Sequence, residues 1–306
     1  MSATAPARPT PRVTAPSLRA MKEAGRPIVM LTAYDFHAGR LVEAAGVDAV
    51  LIGDSLGMTV LGHESTLPVT MDDMVRATAA VSRACTRALV IADMPFMSYA
   101  ADYAEGMRNA GRLLAEGGAQ AVKLENASAA TLDLVSGLVD AGIPAMGHVG
   151  LTPQSVNTLG GYHTQGKDTA AATLAIADAL ALEEAGAFAV VLECIPAELA
   201  ERITELLTIP TIGIGAGAGC DGQVQVFHDL LGLGDFLPKH AKRYADLGAA
   251  IHDAVSSYAE DVRGGVFPGE PQSTHLAADV LAEIDAVIAG AASDDDMEPL
   301  DVELLP

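Results

Sequence analysis

Short apolar runs alternate with longer segments of helical periodicity along most of the 306-residue chain. The run at residues 50–52 is too short for a helix, and its branched residues and neighbouring glycine predict a buried parallel strand. Similar runs predict strands at residues 27–34, 88–95, 121–126, 144–150, 187–194 and 210–217, with a weak eighth strand at residues 235–239. Helices are predicted at residues 17–25, 36–45, 71–85, 99–116, 128–141, 168–185, 196–207, 223–231 and 241–262.

The number and order of these elements predict a fold. Eight strands alternating with helices over about 240 residues are typical of a (β/α)8 TIM barrel. An open doubly wound sheet is the alternative. The barrel is favoured because acidic residues lie at the ends of strands that are spread along the whole chain. A barrel brings the carboxyl ends of all its strands together at one mouth. We therefore expect a single-domain barrel over residues 17–271, after a disordered arm over residues 1–16.

Four predicted strands run into an acidic residue: Asp54, Asp93, Glu125 and Glu193. One such residue is most simply a helix N-cap or a turn residue. Four of them, at ends that a barrel would bring together, indicate a shared acidic pocket, because a buried carboxylate needs a partner.

Carboxylate oxygens without clustered histidine or cysteine select Mg²⁺ or a similar hard cation. Asp54 and Asp93 are the best candidate ligands, and Glu125 is a third, either directly or through water. A 2-keto acid would chelate a cation bound there through its carboxylate and carbonyl oxygens. It would also stabilise an enolate at that carbonyl.

Other polar residues near these acids are candidates for substrate chemistry. Lys123 faces the same way as Glu125 and would meet a substrate carboxylate or enolate; an ion pair with Glu125 and Schiff-base chemistry are the alternatives. Glu193 is the candidate general base; the alternative is a fourth acid that lies behind the metal ligands without binding the metal itself. His148 and Ser55 are candidate substrate contacts, with structural roles as their alternatives.

A glycine motif follows the seventh predicted strand. Residues 217–222 match G-x-G-x-x-G, which is a weak signal by itself. At this position in a barrel, a tight turn or a ligand contact is favoured over a dinucleotide site.

Composition narrows the possible partners and the compartment. The formal charge of −22 argues against nucleic acid and anionic membranes. No apolar run reaches the roughly 18 residues that a membrane span needs. Three widely spaced cysteines predict a reducing cytoplasm without a disulfide framework. Residues 272–306 carry many acids and no lysine or arginine, so we expect an acidic extension, helical near residues 276–288 and otherwise disordered.

Several long motifs carry a resemblance to a known family. Over residues 17–271 the chain resembles the ketopantoate hydroxymethyltransferases in the stretches MLTAYDFHAGRLVEAAGVDAVLIGDSLGM, GHESTLPVTMDDM, ADMPFMSY, AVKLEN, MGHVGLTPQ, VVLECIP and IGIGAGAGCDGQ. The resemblance implies a Mg²⁺-dependent barrel enzyme of pantothenate biosynthesis. Such enzymes transfer a hydroxymethyl group from 5,10-methylenetetrahydrofolate to 3-methyl-2-oxobutanoate, giving 2-dehydropantoate.

The resemblance also implies residue roles and an assembly. It makes Asp54, Asp93 and Glu125 the metal ligands and Glu193 the proton acceptor. The implied keto-acid contacts are Asp54, Ser55, Asp93 and Lys123. A cytoplasmic homodecamer is expected on the same basis.

The chain departs from the family pattern at two positions, and two other functions compete. His163 stands where the family has lysine or arginine, and His240 stands where an aromatic residue is common. The first alternative function is a Mg²⁺-dependent lyase or mutase similar to phosphoenolpyruvate mutase and isocitrate lyase, although the Lys-Lys-Cys-Gly-His loop of isocitrate lyases is missing. The second is a non-catalytic barrel, which the presence of all four acids and Lys123 disfavours.

Overall fold

A closed barrel of eight parallel strands forms the centre of the molecule in the computed structural model, which describes residues 11–291. Every strand pairs with its neighbour in chain order, and the last pairs with the first. The predicted (β/α)8 barrel is confirmed. The strands are β1 (Ile28–Thr32), β2 (Ala49–Ile52), β3 (Leu89–Asp93), β4 (Ala121–Glu125), β5 (Ala145–Gly150), β6 (Ala189–Glu193), β7 (Thr211–Ile214) and β8 (Gly222–Gln225).

Helices alternate with the strands, and polar residues mark where many of them begin. Thr70 accepts the N–H of Asp73 at the start of one helix, and Ser128 and Asp168 cap two others. The helices are α1 (Ala15–Glu23), α2 (Phe36–Ala44), α3 (Leu56–Thr59), α4 (Met71–Ala84), α5 (Tyr103–Ala115), α6 (Ala129–Asp140), α7 (Val156–Leu159), α8 (Thr169–Glu184), α9 (Ala197–Leu206), α10 (Phe227–Leu231), α11 (Leu247–Arg263) and α12 (Ala278–Ala291).

The position of the eighth strand was predicted wrongly. Residues 235–239 are not a strand, and residues 223–225, predicted as helix, belong to β8. This short segment pairs with Ile28 and its neighbours on one side and with β7 on the other. A side chain at Gly222 would place its Cβ 2.5 Å from the Ile28 carbonyl oxygen, so the close pairing requires glycine. Four residues with one large apolar side chain have too little periodicity to be recognised as a strand.

Helix α1 packs against the apolar interior of the barrel. Leu18 is fully buried, and it belongs with Met21 to the same cluster as the inward-facing residues of the strands. Lys22 donates to the carbonyl oxygens of Thr204 and Ile209 at 2.9 and 3.1 Å and forms an ion pair with Asp221. These contacts tie α1 to the chain on either side of β7.

The predicted disordered arm is shorter than expected within the described residues. Helix α1 begins at Ala15 rather than at residue 17, because Thr14 and Ser17 form a capping box. Val13 is buried and donates its N–H to Arg87. Residues 13–16 are therefore part of the fold, and residues 1–10 lie outside the described residues.

The chain divides into two compact units, one up to Gly248 and one from Ala249 onward. The predicted barrel boundary lay later, after residue 271. In the second unit, α12 occupies the region where a helix was predicted at residues 276–288. The rest of the predicted acidic extension, residues 292–306, lies outside the described residues. No helix between residues 11 and 291 is long and apolar enough to cross a membrane.

Glu43, on α2, fixes the loop that leads into β3. Its carboxylate accepts backbone N–H groups from Thr86, Arg87 and Ala88 at 3.0, 2.6 and 3.0 Å, and also the Thr86 hydroxyl. Burial opposes ionisation of Glu43, but these donors outweigh it and hold its pKa below the usual value. Glu183 on α8 accepts the N–H groups of Thr208 and Ile209 ahead of β7 in a similar way.

We predict that Glu43→Gln lowers the free energy of unfolding by about 2 kcal/mol at neutral pH, because charge-assisted hydrogen bonds are lost. Since the pKa of Glu43 is lowered by folding, its stabilisation is present at neutral pH and disappears as the pH falls through the folded-state pKa. The difference between wild type and variant should therefore shrink in acid. Urea unfolding across pH measures it.

Glu23→Gln is the matched control, since Glu23 forms an exposed ion pair with Arg19 at 3.6 Å. Exposed pairs of this kind contribute about 0.5 kcal/mol or less. A Glu43→Gln variant as stable as this control would contradict the role given to Glu43.

Candidate active site

The barrel interior changes from apolar to polar along the strands. Leu89 and Ile91 point inward on β3, and the next inward position is Asp93. On β4 the inward residues run from Ala121 to Lys123 and Glu125. On the next two strands, His148 and Glu193 occupy the corresponding positions near the carboxyl ends. The strand ends therefore collect the polar residues into one layer.

Strand register brings the predicted site residues together. Asp93 lies beside Lys123, and Glu125 lies beside His148 across the neighbouring strands. Asp54 and Ser55 follow β2 after Gly53, and the N–H of Asp54 donates to Asp93 Oδ2 at 3.1 Å. Gly53 leaves room for the Ser55 hydroxyl, because a Cβ there would lie 2.6 Å from Ser55 Oγ.

Lys123 is the buried cation of the acid cluster. Its ammonium lies 2.7 Å from Asp93 Oδ1, and both side chains are almost fully buried. Burial lowers the pKa of Lys123, but nearby carboxylates outweigh that effect and raise it above its usual range: Asp93, Glu125 and Asp54. Lys123 is therefore charged at neutral pH.

Asp54 has less compensation. Burial raises the pKa of this carboxyl well above its usual value, and the charges of Asp93 and Glu125 raise it further. Lys123 and a hydrogen bond from Gln154 act in the opposite direction without cancelling the shift. The cluster thus carries more negative charge than its own cations neutralise.

His148 lies between two carboxylates. Its Nδ1 is 3.6 Å from Glu125 Oε1, and its Nε2 is 3.2 Å from Glu193 Oε2. Burial and the charge of Lys123 lower the pKa of His148, yet the two glutamates raise it to about 9. The imidazolium therefore links the buried glutamate to Glu193, whose side chain is 16% exposed. A substrate contact by His148 stays a prediction.

The oxygen donors of the pocket match a hard divalent cation in type and in charge. Asp54, Asp93 and Glu125 provide carboxylates, and the surplus negative charge around Asp54 is what a divalent cation would neutralise. Between residues 11 and 291, however, no three Asp, Glu, His or Cys side chains are placed to hold an ion as they stand. The pairing of Asp93 with Lys123 accounts for part of this, so binding would need side-chain rotation.

A comparison with known families decides which family this is. The profile described as ketopantoate hydroxymethyltransferase matches residues 12–270. The chain belongs to the ketopantoate hydroxymethyltransferase family. It is therefore a hydroxymethyltransferase, and the family resemblance seen in the sequence is confirmed.

Curated relatives agree with this family along most of their length. A 3-methyl-2-oxobutanoate hydroxymethyltransferase of Carboxydothermus hydrogenoformans is 56% identical over 274 residues, covering 89% of this chain and 99% of the relative. Enzymes of the same name from Chloroflexus aurantiacus and Moorella thermoacetica are 55% and 56% identical, covering 87% and 86% of this chain and 94% and 97% of the relatives.

Solved structures with the same fold are more distant in sequence. A 2,3-dimethylmalate lyase of the PEP mutase/isocitrate lyase superfamily superposes with a TM-score of 0.56 at 20% identity, covering 93% of this chain and 99% of the lyase. A phosphonopyruvate hydrolase in complex with oxalate and Mg²⁺ gives a TM-score of 0.55 at 13% identity, covering 92% and 98%. These likenesses support the barrel fold alone.

Gln154 is a member of the hydroxymethyltransferase site that residue-by-residue reasoning missed. Its amide donates to Asp54 Oδ2 at 2.8 Å and to the Met94 carbonyl oxygen at 2.9 Å. Its backbone N–H donates to Glu125 Oε2 at 2.9 Å. Gln154, on the segment that follows β5, therefore binds carboxylates at the ends of two other strands. Its place in the motif MGHVGLTPQ was the available signal.

Two tyrosines support the same cluster. The buried Tyr99 hydroxyl donates to Gln154 Oε1 at 2.9 Å and accepts the N–H of Glu125 at 3.2 Å. The Tyr34 hydroxyl lies 2.8 Å from Ser55 Oγ, and burial raises the pKa of Tyr34 to about 12. Ser55 is thus oriented by a neutral tyrosine at the pocket edge.

The glycine motif is a tight turn between strands. Residues 217–222 lead from β7 directly into β8, so no helix follows to bind a dinucleotide. Gly217 has a φ of 77°, and a Cβ there would lie 2.5 Å from the Cβ of Ala197 on α9. A tight turn was one of the two roles favoured for this motif, and a ligand contact stays a prediction.

We predict that Tyr99→Phe lowers the free energy of unfolding by about 1–3 kcal/mol, because the Glu125 N–H and the Gln154 amide oxygen lose a buried partner. Tyr103→Phe is the control, since Tyr103 is half-exposed and the change should stay within about 0.5 kcal/mol. Chemical denaturation measures both. Equal stability of the two variants would show that the Tyr99 hydroxyl does not support the site.

Proposed function

We propose that the chain transfers a hydroxymethyl group from 5,10-methylenetetrahydrofolate to 3-methyl-2-oxobutanoate. In the balanced reaction, the C3–H bond of the keto acid breaks and a C–C bond forms between C3 and the one-carbon unit. Both C–N bonds to that carbon break, water supplies the hydroxyl oxygen, and tetrahydrofolate and 2-dehydropantoate are released. The names and high identity of the curated relatives support this choice of substrate.

The observation that carries the proposal is the placement of Glu193. It is the most exposed of the four strand-end acids, and His148 connects it to the buried Glu125. A base for the C3 proton must reach substrate while staying near groups that stabilise the enolate. Its Oε2 lies 3.2 Å from Nε2 of His148, which places a positively charged partner beside the carboxylate.

The keto acid would bind against the buried acids and Lys123. The ammonium of Lys123 would attract the substrate carboxylate or the negative charge that develops on the keto oxygen. Ser55, oriented by Tyr34, would donate a hydrogen bond to the substrate carboxylate. His148 would add positive charge beside the base without leaving its glutamate partners.

We propose Asp54, Asp93 and Glu125 as the groups that hold Mg²⁺, the last directly or through water. A bound Mg²⁺ would supply Lewis-acid stabilisation of negative charge at the keto oxygen. This assignment is supported by the three oxygen donors and by the raised pKa of Asp54, which burial causes first and the charges of Asp93 and Glu125 increase further.

We also propose a homodecamer in the cytoplasm, on the basis of the family resemblance. A native mass measurement tests the assembly: a mass of ten chains supports it, and a stable smaller species contradicts it.

We predict that wild-type protein with Mg²⁺ exchanges the C3 proton of 3-methyl-2-oxobutanoate in D2O, without any folate. Removal of Mg²⁺ by EDTA should abolish exchange, and restored Mg²⁺ should recover it. Glu193→Gln should slow exchange by at least about 100-fold, because the carboxamide cannot accept the proton. Proton NMR follows the C3 signal, and added methylenetetrahydrofolate should then yield 2-dehydropantoate.

Glu198→Gln is the matched control, since Glu198 lies in the first turn of α9 and is solvent-exposed. It should exchange at close to the wild-type rate. Folded wild-type protein that shows neither exchange nor product would overturn the proposed reaction, and unchanged exchange in Glu193→Gln would overturn the assignment of the base.

A further inference from the structure

Exposed apolar side chains lie on the segments that follow three of the strands leading to the site. Met58 is on α3, four residues after Asp54, and it is 40% exposed. Tyr162, on the loop after β5, is 48% exposed. Phe96 and Met97 follow β3 and are also exposed. We call Met58, Phe96, Met97 and Tyr162 the apolar rim. Their loops leave the same ends of the strands that carry the site.

Tyr162 and Met58 meet between two of these loops. The Tyr162 hydroxyl lies 3.8 Å from the sulfur of Met58. Tyr162 lies on the same loop as Gln154, after β5. Met58 lies just after Asp54 and Ser55, so the contact joins the two segments that carry these site residues. The hydroxyl makes this contact, and the exposed methionine side chain is flexible and polarisable enough to pack against a planar ligand.

The loop that carries Tyr162 is fixed beside the proposed base. Gln165 donates its N–H to the carbonyl oxygen of Cys194, the residue after Glu193, at 2.9 Å. Gly160 and Gly161 precede Tyr162 with φ values of 72° and 125°, which residues other than glycine rarely adopt. The backbone thus turns sharply before Tyr162 and is anchored after it, which restricts where the residue can lie.

The electrostatics agree with a position over the pocket. Burial raises the pKa of the Tyr162 phenol, and three carboxylates of the site raise it further by their charge: Asp54, Glu193 and Glu125. A half-exposed ring within reach of all three charges lies at the entrance to the acid pocket rather than on a remote surface.

We propose that Tyr162, with Met58 beside it, forms the binding surface for the ring system of the one-carbon donor. This inference rests on the proposed function, because it assigns the second substrate of that reaction to a place. The keto acid is small and polar and would bind to the acids and Lys123, so it does not need contacts with the apolar rim. A reduced pteridine with its attached aryl ring is flat and large, and it must bring its one-carbon unit to C3. Stacking on Tyr162 would place it above the pocket.

The test separates the two substrates. Tyr162→Ala should keep the folate-free exchange of the C3 proton within about threefold of wild type. The same variant should raise KM for methylenetetrahydrofolate by about tenfold, which is the effect expected for the loss of one stacking contact. Tyr162→Phe should retain a wild-type KM, because the ring rather than the hydroxyl carries the contact. Tyr162→Leu serves in the same way if the alanine variant does not fold.

Tyr244→Ala is the control, since Tyr244 is an exposed tyrosine whose ring lies under Lys242. It should leave both exchange and KM for the folate unchanged. Normal exchange with an unchanged folate KM in Tyr162→Ala would overturn this inference and leave the proposed function intact. Equal loss of exchange and transfer in a folded variant would also overturn it, because Tyr162 would then act on the keto acid. Absence of exchange in wild type would instead overturn the proposed function.

Discussion

Negative charge buried at the carboxyl end of the barrel is the constraint on which the site depends. Asp54, Asp93 and Glu125 are nearly inaccessible to water, and Lys123 compensates them only in part. A buried carboxylate without a partner costs several kcal/mol, so the surrounding polar network is needed for the fold as well as for chemistry. Gln154 meets this need by donating to two of the acids.

The two ends of the barrel have separate duties. At the amino end, α1 packs on the apolar interior, Lys22 joins the chain around β7, and Glu43 fixes the entry to β3. At the carboxyl end, strand register sets charged groups side by side. The stabilising contacts at the amino end offset the free-energy cost of the buried charge at the carboxyl end. This separation of stability from activity is common in barrels of this type.

Two features of the chain show what local pattern can and cannot reveal. The acids at strand ends were readable because each follows an apolar run, and alternation then places Lys123 and Glu125 on one face. The eighth strand was not readable, because β8 is short and polar and is defined by pairing with β1 and β7. Tyr99 was missed for a similar reason: its partners are distant in sequence.

The sequence by itself determined the barrel, its family and the identity of the four acids, because these depend on periodicity and on long ordered motifs. Only the tertiary structure decided which charged side chains pair with one another. The pairing of Lys123 with Asp93 rather than with Glu125 follows from register between β3 and β4. The bridge from His148 to Glu193 and the contact of Tyr162 with Met58 likewise join separate strands and loops. Such contacts depend on side-chain direction in three dimensions, which local sequence does not encode.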